Sequence, residues 1–192
     1  MTHTRFKVLF AGGFGAGKTT AVRSVSEIEP LTTEAELTEA GESVDSLTGV
    51  EAKTTTTVAF DFGRKTLPDP QFPVELMLFG MPGQERFSPF WYDICDGAVG
   101  AVILVDTRRL DTSFPSVTFC EQIGLPFIIA INHFNGSYEH NPADVLQALG
   151  LDPHTVPVMT LDARQTPQVA AALITLVSHA LARFVASTLL EA

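Results

Sequence analysis

At 192 residues, 45% hydrophobic and 18% charged, the chain suits one globular domain with a full core and not a disordered segment. A net charge of −10 argues against a nucleic-acid surface and against docking by charge on anionic lipid. Two cysteines, Cys95 and Cys120, make neither a disulfide framework nor a metal-type spacing, and suit a reducing, cytoplasmic setting. No signal peptide, lipidation motif or apolar run of membrane-span length is expected, so membrane association would come through a partner and not by direct insertion.

Residues 6–10 (FKVLF) predict a first strand, and the chain then reads Gly12-Gly13-Phe14-Gly15-Ala16-Gly17-Lys18-Thr19. This satisfies G-x-x-x-x-G-K-[ST], the phosphate-binding P-loop pattern. Glycines let consecutive N–H groups curl around a phosphate, and a following helix adds unpaired donors and the positive end of its dipole. Gly13, Gly15, Ala16, Gly17 and Thr20 are the expected cradle. Lys18 is expected at the β- and γ-phosphates and the Thr19 hydroxyl on Mg²⁺. A helix is expected over residues 19–28.

Residues 27–51 hold eight acidic residues and no Lys or Arg, with no convincing apolar period. They read as an exposed, mobile acidic insertion around 29–52, with room for a short helix over 34–40. Residues 53–64 (KTTTTVAFDFGR) predict a strand, whose threonines either express β-propensity or bring a hydroxyl to a bound Mg²⁺. A turn around residues 68–70 and a strand over 73–79 complete a hairpin. Residues 97–106 and 126–132 are apolar enough to be parallel strands buried on both faces. Helices are expected over 113–123, ended by Gly124, and over 142–149, capped by Asn141 and stopped by Gly150. A short strand over 156–161 precedes a last helix near Pro167. Its apolar stripe, from Val169 through Ala172, Leu173, Ile174, Leu176, Val177, Ala180 and Leu181 to Phe184, is expected to pack on the core. The sum is an α/β fold in one domain, 1–192, with about six mostly parallel strands, one antiparallel hairpin and helices on both faces.

Five motifs in order make the chain resemble the Ras-like small GTPases. Besides the P-loop, Thr57-Val58-Ala59-Phe60-Asp61-Phe62 resembles switch I, and Pro82-Gly83-Gln84-Glu85-Arg86-Phe87 resembles the switch II run D-x-x-G-Q-E-R-F. Ile131-Asn132-His133-Phe134-Asn135 falls where the base-reading N-K-x-D belongs, and Asp162-Ala163-Arg164 where the S-A-K loop belongs. The runs at 79–84, 105–109 and 162–164 further resemble the actinobacterial conservon GTPases, relatives of bacterial Mgl-type polarity GTPases.

That resemblance implies a small GTP-binding switch that binds GTP/GDP with Mg²⁺. Thr57 would join Thr19 at the metal, Gly83 would contact phosphate, and Gln84 would orient the attacking water. Asn132, His133, Asn135, Asp162, Ala163 and Arg164 would hold the base. The implied partners are a roadblock-type protein dimer and a sensor-kinase-like membrane protein. Arg86 is either a finger reaching the phosphates from within the chain or a solvated residue, and Arg108 and Arg109 read as structural or partner-facing. With no clear finger, slow unaided hydrolysis is expected.

Three departures bear on the site. Gly80 stands where most such proteins carry a metal-holding aspartate, with Asp61 as a candidate substitute whose simpler role is an exposed strand residue. His133 replaces a lysine. Asn135 replaces an aspartate that accepts from guanine, and an amide offers one acceptor and one NH₂ donor where a carboxylate only accepts. Weakened guanine selectivity is the expectation, with xanthine as a beneficiary. Two alternatives to a GTP-hydrolysing switch therefore stand: a nucleotide-binding scaffold with relaxed base specificity, and an ATP- or other-nucleotide-dependent P-loop enzyme.

Overall fold

The computed structural model describes residues 4–38, 55–67 and 74–190. The elements in order are β1 (Thr4–Ala11), α1 (Lys18–Val25), β2 (Leu31–Thr38), β3 (Thr55–Leu67), β4 (Val74–Gly80), α2 (Trp91–Cys95) and β5 (Ala98–Val105). They continue with α3 (Phe114–Gln122), β6 (Phe127–Asn132), α4 (Pro142–Ala148), β7 (Val158–Leu161) and α5 (Thr166–Leu190). Short 3₁₀ segments at Glu85–Phe90 and Thr107–Ser113 precede α2 and α3.

One sheet of seven strands in the order β2-β3-β4-β1-β5-β6-β7 forms the centre. The β2–β3 and β3–β4 pairs are antiparallel and the rest are parallel. Strand periodicity divides the core into two layers. Val8 and Phe10 of β1 turn to one face, where they meet Ala21, Val22 and Val25 of α1 and Leu173 and Leu176 of α5. Leu9 and Ala11 turn to the other, against Val117 of α3 and Leu146 of α4. Both faces are covered, as the continuous apolar runs of β5 and β6 require.

The predicted hairpin is β3–β4; the turn expected around residues 68–70 lies outside the described residues. The caps fall as read: Asn141 Oδ1 accepts from the Ala143 N–H at 3.0 Å, and Gly124 and Gly150 follow α3 and α4 with φ of 67° and 73°.

Two expectations change. Leu31–Thr38 is not part of a loop or a short helix: it is an edge strand, paired from Leu31 opposite Phe62 to Thr38 opposite Thr55, and raises the sheet from about six strands to seven. Its sequence, LTTEAELT, has too weak an apolar alternation to announce a strand, and its partner β3 imposes the conformation. The remainder of the acidic stretch, 39–54, lies outside the described residues. The second change concerns α5, which is long and apolar enough to cross a membrane by length and composition. Its Val169, Ala172, Leu173 and Leu176 are nevertheless buried against the sheet, so this half is a core element. Val177 is still partly buried against the core, but Ile174 within this half and Leu181 and Phe184 beyond it, all expected in the core, are exposed.

Candidate functional site

The turn after β1 rises from the centre of the sheet, at the carboxyl ends of the parallel strands where α/β folds bind ligands. Gly17 ends it in the left-handed region, with φ 105°, and opens α1. A β-carbon on Gly17 would also lie 2.5 Å from Asn132 Nδ2, so the position needs glycine for both conformation and space. Lys18, the first residue of α1, is only 8% exposed. Its Nζ donates to the Gly12 and Gly13 carbonyls at 2.8 and 2.7 Å. Burial pulls its pKa down to about 8, while the Asp61 carboxylate pushes the other way. An ammonium held against its own loop in this way is poised for a phosphate.

Beside it, the Thr19 hydroxyl donates to Asp61 Oδ2. Register explains how residues 42 positions apart meet: Asp61 of β3 lies opposite Gly80, the last residue of β4. A β-carbon on Gly80 would approach the Asp61 β-carbon to 3.1 Å and its Oδ2 to 3.2 Å. Bare backbone at 80 therefore leaves the space that the Asp61 side chain enters. Lys18, Thr19, Thr20, Asp61, Gly83 and Gln84 line one open cleft of about 460 Å³. Trp91 fixes the far wall, since its buried indole donates to the Pro82 carbonyl at 3.2 Å. Gly83 packs so closely that a β-carbon there would meet Lys18 Nζ at 2.5 Å.

Thr57 is on β3, four residues before Asp61 and opposite Glu36 of β2. That places its backbone about 13 Å along an extended strand from Asp61, beyond the end of β4. The side chains of Thr57 and Arg86 lie outside those described; the Arg86 backbone is in the turn Glu85–Phe90.

A second group of residues braces the loop. Asp106, at the end of β5, is 1% exposed and takes a bidentate pair from Arg108 at 2.8 Å through each oxygen. Hydrogen bonding to Arg108 holds its carboxyl below the usual range, with burial opposing. Arg109, 3.6 Å from the same carboxylate, donates to the P-loop carbonyl of Phe14 at 2.8 Å. Arg108 stacks 3.9 Å from the centre of the Phe134 ring. Read from sequence as structural or partner-facing, these arginines tie one buried carboxylate to the phosphate loop on one side and to the β6–α4 loop on the other. The signal was the pair itself at a strand's end, but only the fold shows where it reaches.

The base-end candidates gather at the ends of β6 and β7. Asn132 is 5% exposed, donating to the Ala16 carbonyl and accepting from the Ala163 N–H, both at 2.9 Å. It locks the β7–α5 loop to the P-loop. Arg164 grips Asp162 through Nε and Nη2 and extends Nη2 to Asn135 Oδ1 at 3.0 Å. Hydrogen bonds from Arg164 pull the Asp162 pKa to about 2. His133 is exposed, with Nδ1 3.9 Å from Glu139. Asn132, His133 and Asp162 line an open polar cleft of about 600 Å³, together with Tyr138, His140 and Gln165. All six predicted base-end residues are thus brought to one end of the sheet.

Residues 10–183 match a protein family described as "conserved hypothetical ATP binding protein". No curated protein matches the chain. The family match spans the phosphate loop, the Asp61 strand and the β6 and β7 loops, and by it the chain belongs to this family of nucleotide-binding proteins.

Proposed function

We propose that the protein is a Mg²⁺-dependent nucleotide switch that binds nucleoside triphosphate and diphosphate and hydrolyses the triphosphate slowly by itself. GTP is the nucleotide that its resemblance to Ras-like proteins implies. The observation that carries the reading is the single cleft in which Lys18, Thr19, Asp61, Gly83 and Gln84 meet at the start of α1.

The residues fit a magnesium ion. The Thr19 hydroxyl and the Asp61 carboxylate are hard oxygen donors already in contact, and Gly80 leaves their side of the cleft clear. Thr19 and Asp61 would hold it, and Thr57 could join them only if β3 rearranged ahead of Asp61. Bound there, the ion would supply charge neutralisation for the terminal phosphates. The remaining steps belong to the chain. Backbone donors around Gly13, Gly15 and Gly17 cradle the phosphates, and Lys18 moves from the Gly12 and Gly13 carbonyls toward phosphate oxygens. Gln84, at the mouth of the same cleft, orients the attacking water. No arginine points into the phosphates among the described side chains, since Arg109 is engaged with the Phe14 carbonyl and Asp106. Slow turnover follows, with a partner supplying acceleration. Contact of a terminal phosphate with Gly83 would couple nucleotide state to the 82–90 segment, and hence to partner binding in bacterial signalling. A roadblock-type dimer and a sensor-kinase-like membrane protein are the partners the resemblance implies, with the switch acting in the cytoplasm.

Phosphate release from purified protein tests this. Mg²⁺-dependent turnover on the order of 10⁻⁴–10⁻² s⁻¹, the range of unassisted and self-assisted switches of this chemistry, is expected, with loss in Gln84→Leu. Turnover above about 1 s⁻¹, or indifference to Gln84, would refute it. A second reading, a scaffold that holds nucleotide with relaxed base preference, is favoured by the Arg164–Asn135 contact at the base end.

A further inference from the structure

The sheet itself says where a base must go. The metal side of the cleft lies toward β3 and β4, where Asp61 and Gly80 meet, so a nucleotide with its phosphates on the P-loop extends the other way, over β5, β6 and β7. There Asn132 and Asp162 line the polar cleft, and Ala163, Arg164 and Asn135 are joined to them by hydrogen bonds. Their hydrogen-bonding capacity can be counted.

Arginine has no acceptor, so the atom of Asn135 facing Arg164 Nη2 at 3.0 Å must be its carbonyl oxygen, whichever way the amide would otherwise be assigned. Asp162 Oδ1 takes the Arg164 N–H and Nε at 2.9 and 2.8 Å, and Oδ2 takes Nη2 at 2.7 Å. The carbonyl of Asn135 and both oxygens of Asp162 are therefore engaged by one guanidinium. The Ala163 N–H, the buried backbone donor of this loop, is directed to Asn132 Oδ1. Apart from the second lone pair of Asn135 Oδ1, what remains are donors: among the described residues no partner is taken by Asn135 Nδ2 or by Arg164 Nη1.

We infer that Arg164 is a specificity-determining residue: by occupying the acceptors of Asn135 and Asp162 it turns a donor edge toward the base, so the site takes purines whose 1,2-edge accepts hydrogen bonds at least as well as guanine. Adenine presents a bare N1 acceptor and no donor at position 2, and xanthine presents a 2-oxo acceptor. Guanine presents N1–H and a 2-amino group, two donors, for which Asn135 and Asp162 keep only the second lone pair of Asn135 Oδ1. Removing the guanidinium reverses the pattern. Asn135 can then rotate its oxygen outward, and Asp162 offers a free carboxylate to the guanine edge. The inference rests on the nucleotide-switch reading above but fails separately from it.

The test is competition titration of the wild-type protein with Mg²⁺ and ATP, GTP or XTP, repeated with Arg164→Met and Asn135→Asp. In wild type, ATP and XTP are expected to bind as tightly as GTP or tighter. Arg164→Met is expected to shift the GTP:ATP affinity ratio toward GTP by about tenfold, the order of one unmet hydrogen bond restored, and Asn135→Asp to shift it the same way. Both positions are exposed, and circular dichroism establishes that the variants are folded. A tenfold or greater wild-type preference for GTP, or a ratio unmoved in both variants, would overturn the inference while leaving the nucleotide switch standing. Failure of every triphosphate to bind would overturn both.

Discussion

The two ends of the cleft are built on different principles. At the phosphate end the structure is fixed by backbone and burial: Gly17 in the left-handed region, Lys18 almost wholly buried on its own loop, Asp61 set against bare Gly80 by strand register. At the base end Asn132 and Ala163 are buried, and the other polar candidates form a side-chain chain from half-buried Asp162 through exposed Arg164 to exposed Asn135. Groups anchored in the core act from a preset geometry, whereas exposed pairs contribute little to binding and can be exchanged without disturbing the fold. Affinity should therefore reside at the first end and identity at the second. Asp106 links them, with Arg109 on the P-loop and Arg108 under Phe134.

The largest break in that contrast comes from Lys18→Ala. It removes a charge-assisted contact to more than one phosphate oxygen, each worth about 1.5–3 kcal/mol, so triphosphate affinity should fall by about a hundredfold or more in a fluorescence titration. Asp61→Ala comes next. If Asp61 holds the metal, affinity with Mg²⁺ should drop by about tenfold, to the level the wild type shows after chelation, and added Mg²⁺ should no longer restore it. Unchanged Mg²⁺ dependence in this variant would move the metal elsewhere.

The pH dependence is of similar size and has a definite sign. Lys18 in the free protein titrates at about 8 rather than 10.5, and a bound triphosphate favours its charged form. Affinity should be level up to pH 7 and weaken by about tenfold at pH 9, an effect absent in Lys18→Ala. The same depression makes the unfolded chain bind more protons between those two values, so its contribution to fold stability rises with pH across that window and is constant below it. The smallest effect expected is that of Arg109→Ala. It frees the Phe14 carbonyl and should speed nucleotide dissociation by a few-fold, the scale of one exposed charge-assisted bond, measured by displacement of a labelled nucleotide.

How much of this was legible in the sequence follows from the range of each interaction. The P-loop could be read because its chemistry lies within eight consecutive residues and its context is a strand and a helix. Buried strands and helix caps were legible for the same local reason. The meeting of Asp61 with Thr19 is not legible because it depends on the β3–β4 register, which sets Asp61 beside a glycine 19 positions away. Edge strand β2 is hard to see because Leu31, Ala35 and Leu37, its alternating apolar positions, share that face with Thr33 and make too weak a pattern. The α5 stripe reaches further in the sequence than in the core: the periodicity continues through Leu181 and Phe184, which stay exposed beside Phe6 of β1 and Val99 of β5. Arg164 was placed at the base, but its grip on Asn135, 29 positions distant, needed the β6 and β7 loops to be side by side.

The contrast between the two ends can be tested without any base at all. Inorganic tripolyphosphate with Mg²⁺, and the nucleosides adenosine and guanosine, can each be set to compete with a labelled nucleoside triphosphate on the purified protein. If the phosphate end carries the affinity, tripolyphosphate displaces the label and neither nucleoside does so at comparable concentration. Displacement by guanosine or adenosine, with tripolyphosphate inert, would contradict the account.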